Sequence, residues 1–169
     1  MKRIYIARHA KSGWDYDAIQ DIDRVLAERG ISDAYLMASF FVKDKQKMPH
    51  AIYSSPATRA IHSALIFSRV SSFPTDKIIM NTNLYAATEH DLLNEITKLD
   101  DKNNIVMFFG HNDGLTHLVN HLVENEYVDN LPTAAIACID FDIKTWKEIE
   151  NTKGTLQFLY TPKELKNEK

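Results

Sequence analysis

The sequence predicts an α/β domain, a three-layer α/β/α sandwich with a mostly parallel central sheet. Apolar runs alternate along the chain with segments whose apolar residues recur at helical spacing, a pattern typical of this class. The run at 104–109 is continuously apolar, as expected of a strand covered on both faces. The length of 169 residues favours one domain. We expect that domain to cover residues 1–162, followed by a C-terminal tail at 163–169.

The first half of the chain is predicted to contain two strands and two helices. Lys2–Ala7 is a strand ending abruptly in charged residues, and a polar, acidic loop follows it. A helix is predicted from about Leu26 to Val42, because apolar residues repeat at helical spacing at Ala34, Met37, Ala38 and Phe41. Ala51–Ser54 is a short strand. Pro56 favours the first turn of a helix over Ala57–Val70, whose apolar residues include Ile61, Ala64, Leu65 and Phe67.

The second half continues the alternation. One helix has an apolar face of Leu92, Leu93 and Ile96, and the next has a stripe of Leu115, Leu118, Val119 and Leu122. The predicted elements are, in order, strand Lys77–Met80, helix His90–Leu99, strand Asn104–Phe109, helix Gly114–Val123, and strands Ala134–Phe141 and Thr155–Tyr160. Lys163–Lys169 is expected to be a frayed tail.

Composition and charge argue against several classes of partner. The net charge of −3 provides no general attraction for nucleic acid or an anionic membrane. No apolar run approaches the ~20 residues of a membrane span, and Arg8 and His9 interrupt the N-terminal apolar stretch before it could act as a signal peptide. The single cysteine has no internal disulfide partner. We therefore expect a cytoplasmic protein that binds neither nucleic acid nor membranes.

Polar residues follow three of the predicted strands directly. These groups are Arg8-His9, Ser54–Arg59 and Gly110-His111-Asn112. In parallel α/β sheets, ligands bind beyond the carboxyl ends of the strands. We therefore expect the three groups to converge on one pocket that contains two histidines and two arginines.

Such a pocket has the chemistry needed for phosphoryl transfer without a metal or cofactor. Two guanidinium groups bind a phosphoryl group through forked hydrogen bonds. Neutral imidazole is a competent nucleophile, and nearby cations keep it neutral. A single Arg–His pair at a strand end is more often structural, but three such groups together favour a catalytic site.

The motifs around these residues resemble a known family. RHA, SSPATRA and GHND, at the ends of the three strands, are similar to motifs of the histidine phosphatase superfamily, the phosphoglycerate mutase-like group. Within it, RHAKSGWD, DRVLAERG, YSSPATRA, GHNDGLTHL and NLPTAA resemble the small SixA-type phosphohistidine phosphatases. The resemblance extends from Arg8 to about Ala135. It implies a phosphoglycerate mutase-like fold and a metal-independent phosphatase.

The resemblance also implies roles for individual residues. His9 is implied as the nucleophile that takes up the phosphoryl group, while Arg8, Arg59 and His111 complete the phosphate pocket. Arg24 is expected to contact phosphate from the loop. Neighbouring residues of the same motifs are further candidates for substrate binding, namely Lys11, Ser12 and Asn112.

The expected substrate is a phosphohistidine on a partner protein, and the alternative is a small phosphorylated molecule. The choice between these two substrates depends partly on whether the site has a general acid to protonate the leaving group. Glu89 is the candidate, but Glu89 and Asp91 are equally suited to begin the helix that follows, where acidic residues are favoured.

Three other interpretations stay open on the sequence alone. Asp21 begins a DxDxVL pattern typical of Mg²⁺-dependent haloacid dehalogenase-type phosphatases, although the polar residues before it make a poor buried strand. The pocket would also suit a module that binds phosphate without turnover. His117 and His121 lie one helical turn apart, but surface or capping roles are favoured over metal binding.

The acidic loop between Trp14 and Asp23 has no assigned role. Its carboxylates are expected to be solvated, and they lack the spacing of a Ca²⁺-binding loop. Trp14 and Tyr16 are either exposed docking aromatics or a lid over the helix. Cys138 lies in an apolar strand, and no arginine follows it six residues later, so it is expected to be a core residue.

Overall fold

A central sheet organises the computed structural model, which describes residues 1–14 and 17–167. Within these residues six strands form one sheet in the order β3-β2-β4-β1-β5-β6. Strands β3, β2, β4 and β1 pair in parallel, and β5 is antiparallel to both of its neighbours. The strands are β1 (Lys2–Arg8), β2 (Ala51–Ser54), β3 (Ile78–Met80), β4 (Ile105–Gly110), β5 (Ile136–Phe141) and β6 (Thr155–Tyr160).

Helices cover both faces of this sheet. The described helices are α1 (Glu28–Lys43), α2 (Thr58–Ser71), α3 (Glu89–Thr97), α4 (Gly114–Leu122) and α5 (Pro162–Asn167). Helices α1, α2 and α5 supply buried residues to one face, and α3 and α4 supply the other. The predicted three-layer α/β/α architecture is therefore confirmed. None of the helices in the described ranges has the length and apolar character required to cross a membrane.

The two faces of β1 show why its residues 4–7 form a continuous apolar run. Ile4 and Ile6 pack into the core on the α3–α4 side, whereas Tyr5 and Ala7 pack into the core on the α1–α2 side. All four residues are at most 1% exposed. Because neighbouring side chains of a strand point to opposite faces, a strand with both faces covered needs apolar residues at every position.

The observed elements agree with the predicted ones to within about two residues. The start of β5 shows a physical reason for one difference. Ala134 has a φ of 63°, which lies outside the extended region, so the strand begins at Ile136 rather than at Ala134. The turn before β5 instead places the amide of Ala134 3.1 Å from the carbonyl oxygen of His9.

The expectation of a frayed C-terminal tail is wrong for residues 163–167. These residues lie in α5, where Leu165 is buried in the core beside α1. Lys166 forms an ion pair with Asp33, which is itself buried in α1. A short helix with one anchored apolar residue and one anchored cation docks onto the domain. Residues 168–169 lie outside the described ranges, and the boundary at 162 stays a prediction.

The N-terminus of α1 packs closely against the loop that follows β1. The amide of Ala27 donates to the carbonyl oxygen of Lys11 at 2.9 Å, and Ser12 pairs with Leu26 in an isolated antiparallel bridge. A Cβ atom added to Gly30 would lie 2.0 Å from the same Lys11 oxygen. Glycine is therefore required in the first turn of α1 to let the loop approach.

We predict that Gly30→Ala destabilises the protein, although alanine ordinarily favours a helix by up to ~1 kcal/mol. Steric overlap with a backbone atom should lower the free energy of unfolding by about 1–3 kcal/mol. Urea denaturation checks this value. Ser39→Ala, at an exposed position of the same helix, is the control and should change stability by less than ~0.5 kcal/mol. A stabilised Gly30→Ala variant would contradict the close approach.

Candidate active site

Strand register brings the two histidines of the predicted site together. Arg8 at the end of β1 pairs with Gly110 at the end of β4, so His9 and His111 follow at neighbouring positions. Their ring centroids lie 5.1 Å apart. The amide of Ser55 donates to the carbonyl oxygen of Phe109 at 3.0 Å, which places the segment after β2 at the same edge. The three strand ends therefore meet, as the sequence predicted.

A cavity of about 190 Å³ lies between these strand ends. Every residue predicted to be catalytic or substrate-binding lines it, except the candidate acid Glu89. Thr133 is an additional lining residue; it lies in the NLPTAA motif, but the sequence analysis gave it no role. The lining residues are Arg8, His9, Lys11, Ser12, Arg24, Arg59, His111, Asn112 and Thr133. Their individual roles stay predictions.

The imidazole of His9 is oriented so that Nε2 faces the arginines. Nδ1 lies 2.7 Å from the carbonyl oxygen of Ala10, an acceptor, so Nδ1 carries the proton and Nε2 has a free lone pair. Nε of Arg59 donates to this lone pair at 3.3 Å. Burial, with the positive charges of Arg59 and Arg8, lowers the pKa of His9 to about 4. At neutral pH, the His9 ring is therefore uncharged, as the predicted nucleophile must be.

The ring of His111 is also held neutral. Burial, followed by the proximity of His9 and the charge of Arg59, lowers its pKa to about 3. Its Nε2 lies 2.7 Å from the hydroxyl oxygen of Ser55. The ring of Tyr85 packs edge-on against it, with centroids 5.6 Å apart.

The Arg8 guanidinium is anchored at one end only. Nη1 donates to the carbonyl oxygen of Leu131 at 2.9 Å, and the buried Nε has no hydrogen-bond partner within the described residues. Asn112 donates to the same Leu131 oxygen at 3.1 Å and to Asn130 at 2.8 Å. The amide of Asn112 thus fixes the segment that holds Arg8. Its proposed contact with substrate stays a prediction.

The sequence analysis considered Asp21 as a rival nucleophile and as a solvated carboxylate of the acidic loop, but in the structure it pairs with two arginines. Its carboxylate accepts from Nη2 of Arg59 at 2.9 Å, from Nη1 of Arg24 at 3.1 Å and from the hydroxyl of Tyr85 at 2.7 Å. The Tyr85 hydroxyl, together with these arginines, holds the pKa of Asp21 well below its usual range. The residue is therefore ionised at neutral pH and orients both guanidinium groups.

The loop after β1 supports Arg24 from both sides. Nη2 of Arg24 donates to the hydroxyl of Ser12 at 2.7 Å, and Nε donates to the carbonyl oxygen of Gly13 at 3.2 Å. The guanidinium carbon lies 3.5 Å from the ring centroid of Trp14, in cation–π geometry. Trp14 is 66% exposed and covers Arg24. Tyr16, for which the same two interpretations were open, lies outside the described residues together with Asp15.

Glu89 lies away from the phosphate pocket, contrary to its choice as the candidate general acid. Its carboxylate contacts Nδ1 of His121 at 2.5 Å, and the residue lines a neighbouring cavity of about 590 Å³ that also contains His117. Glu89 begins α3, where Asp91 forms a capping box with Thr88. Glu89 and Asp91 therefore both lie in the first turn of α3, as the alternative interpretation of these residues predicted. Among residues 1–14 and 17–167, no three potential metal ligands lie together.

Two rival nucleophiles are in unsuitable positions. The dehalogenase pattern requires Asp21 to follow a buried strand, but Asp21 lies in a 3-10 turn, and its carboxylate is held by two arginines and a tyrosine. Cys138 is fully buried in β5, and burial raises its thiol pKa to about 12. The thiol is therefore protonated and inaccessible, as a core residue should be.

Comparison with known proteins agrees with the motif pattern. Residues 4–80 match the model of the histidine phosphatase superfamily (branch 1). An uncharacterized chloroplastic protein of Arabidopsis thaliana is 29% identical over 121 residues, which cover 67% of this chain and 55% of that protein. The chain thus spans about half the length of this curated relative. These matches, with the structural ones, confirm the resemblance to the histidine phosphatase superfamily.

Solved structures share the fold over nearly the whole chain. The protein histidine phosphatase SixA in complex with tungstate has a TM-score of 0.81 at 21% identity, covering 96% of this chain and 99% of that one. A candidate SixA phosphohistidine phosphatase from Agrobacterium tumefaciens has a TM-score of 0.79 at 24% identity, covering 95% and 98%. A mycobacterial glucosyl-3-phosphoglycerate phosphatase has a TM-score of 0.66 at 15% identity, covering 93% and 97%. The fold is phosphoglycerate mutase-like. The chain therefore shares its fold with these phosphatases.

We predict that the two neutral histidines make stability depend on pH. In the unfolded chain histidine binds a proton below about pH 6.5, whereas folded His9 does so only near pH 4 and His111 only near pH 3. Stability rises with pH wherever the unfolded state binds more protons. The free energy of unfolding should therefore fall by about 1 kcal/mol per histidine between pH 7 and pH 5.5.

Urea denaturation at the two pH values checks this dependence. The double variant His9→Gln, His111→Gln should lose most of the difference, because neither glutamine titrates. His90→Gln, at an exposed position, is the matched control and should retain it. An unchanged pH dependence in the double variant would contradict the neutral state of the two rings.

Proposed function

We propose that this protein is a metal-independent phosphatase that transfers a phosphoryl group to Nε2 of His9 and then to water. The observation that carries the proposal is the state of His9. Its Nδ1 proton is fixed by the carbonyl of Ala10, so Nε2 carries a lone pair, which accepts a hydrogen bond from Nε of Arg59. Arg8, Arg24 and Arg59 line the same cavity and supply the positive charge that a metal ion supplies elsewhere.

The two steps conserve atoms and charge. In the first, the Nε2 lone pair forms a bond to phosphorus while the bond to the leaving group breaks, and the leaving group keeps that electron pair. In the second, water attacks phosphorus, and the electron pair of the P–N bond returns to Nε2. Both protons of the water leave with the phosphate, which then equilibrates with solvent. His9 regains its neutral form.

We propose further that the substrate is a phosphohistidine on a partner protein. This proposal is supported by the absence of a carboxyl group from the pocket lining in the described residues. Glu89 pairs with His121 elsewhere, and Asp21, beside Arg59, is held ionised and has no proton to donate at neutral pH. A protonated phosphoimidazole departs as neutral imidazole, whose conjugate acid has a pKa of ~6.5, and needs little help.

Hydrolysis of a small phosphorylated molecule requires the site to protonate a more basic leaving group. An alkoxide leaving from a sugar phosphate is nearly as basic as hydroxide, whose parent water has a pKa of ~15.7. General acid catalysis is worth ~10²–10⁴ in rate. The mycobacterial structural neighbour is named as a phosphatase of a small phosphorylated sugar derivative, so both classes occur on this fold. The chemistry of this pocket favours the phosphohistidine.

We predict that labelled substrate leaves phosphate on His9. The adduct should be acid-labile and base-stable, as a phosphoramidate is, and mass spectrometry of a digest should locate it. His9→Ala should remove both label and turnover without unfolding the protein, because His9 lies at a strand end. The control is His62→Ala, at a partly buried position of α2. This variant should be labelled as the wild-type protein is. Label retained by His9→Ala would overturn the assignment.

We predict that kcat/KM follows the leaving group. Phosphohistidine and activated aryl phosphates should be hydrolysed about 10²–10⁴-fold better than sugar phosphates, because the site lacks a general acid. Glu89→Gln should leave phosphohistidine hydrolysis nearly unchanged. The assays should give the same result after exhaustive chelation. A sugar phosphate hydrolysed best, with that activity lost in Glu89→Gln, would instead establish the small-molecule phosphatase.

A further inference from the structure

Ser55 is a fully buried serine beside His111 to which the sequence analysis gave no role. Its hydroxyl oxygen lies 2.7 Å from Nε2 of His111. The same oxygen accepts a hydrogen bond from the backbone amide of Ala57 at 3.2 Å. Within the described residues, the Ser55 hydroxyl therefore has two hydrogen-bond partners, the amide of Ala57 and Nε2 of His111.

The hydrogen-bonding capacity of this hydroxyl decides which His111 nitrogen carries the proton. A serine hydroxyl can accept two hydrogen bonds and donate one. If Nε2 of His111 carried the proton, it would occupy the second acceptor position, and the hydrogen of Ser55 would be buried without an acceptor. That arrangement is unfavourable. If Ser55 donates to Nε2, all of its capacity is used, and the ring proton must lie on Nδ1.

The other nitrogen of the ring provides independent support. Nδ1 of His111 is buried and has no hydrogen-bond partner among the described residues, while His111 lines the phosphate cavity. A buried N–H without a partner is rare in folded proteins. A bound phosphoryl oxygen would satisfy a proton on Nδ1, whereas a lone pair on Nδ1 would repel that oxygen.

We infer that Ser55 is a positioning residue that fixes the tautomer of His111, so that Nδ1–H donates to the phosphoryl group held by the arginines. This inference rests on the proposed function, because it assumes that the cavity binds a phosphoryl group. A ring locked in this tautomer offers a donor without carrying a charge. Such preorganised donors need no rearrangement when the substrate binds.

Nitrogen NMR of the full-length protein with ¹⁵N-labelled histidine tests the tautomer directly. The resonances of His111 are assigned by their loss in His111→Asn. We expect the shift of a protonated ring nitrogen for Nδ1 and that of an unprotonated one for Nε2. A proton found on Nε2 in the wild-type protein would overturn the inference. This measurement needs no variant of Ser55.

Two neighbouring serine variants test the consequence for binding. Ser55→Ala should let His111 sample both tautomers and should weaken the binding of inorganic phosphate roughly five- to tenfold, since the donor is no longer preorganised. Ser54→Ala is the matched control. Ser54 is equally buried, but its hydroxyl donates to the carbonyl oxygen of Ser55 and not to His111. It should change phosphate affinity by less than about twofold. Equal losses in the two variants would contradict the inference.

The experiments separate this inference from the proposed function. If His111 has the expected tautomer and phosphate binds, but no phosphorylated substrate is turned over, the role of Ser55 in binding stands and the proposed phosphatase activity fails. If phospho-His9 forms while the proton of His111 lies on Nε2, the activity stands and the inference about Ser55 fails.

Discussion

The parallel pairing of β1 with β4 is the constraint on which the rest of the site depends. The partnership of Arg8 with Gly110 fixes where each strand stops, and the next residue in each chain segment is a histidine. A shift of one residue would turn these side chains to the opposite faces of the sheet. The buried apolar residues of β1, on both of its faces, make such a shift costly. Core packing therefore sets the distance between the two imidazoles.

Charge balance around Arg59 links the site to the surrounding loops. This guanidinium donates to Nε2 of His9 and to the carboxylate of Asp21. Arginine, unlike lysine, has donors in a planar fork and can serve both partners at once. Because Asp21 also contacts Arg24 and Tyr85, one carboxylate joins the loop after β1 to the segment before α3. Burial, together with the charge of these arginines, lowers the pKa values of His9 and His111.

The sequence was sufficient for the strands, for helices α1 to α4 and for the residues that line the cavity other than Thr133. Strand ends and local motifs are properties of short segments, so hydrophobic pattern and residue type predict them. The contacts of Asp21, Ser55 and Glu89 were not predictable in this way. Glu89 meets His121 across two helices, and Asp21 meets Arg59 across distant segments. Such distances depend on how whole elements pack. The docking of Leu165 was missed because one apolar residue gives no periodicity.

The reversed direction of β5 has a consequence for the synthesis of this protein. Since β5 is antiparallel to β1, its first residue lies at the edge where β1 ends, and the segment just before it completes the cavity through the carbonyl of Leu131 and through Thr133. A nascent chain must therefore emerge past residue 136 before this cavity is complete. If the cavity binds phosphate as proposed, phosphate would stabilise the finished domain and not its precursors. Protection from proteolysis by added phosphate would therefore appear only once the whole domain has folded.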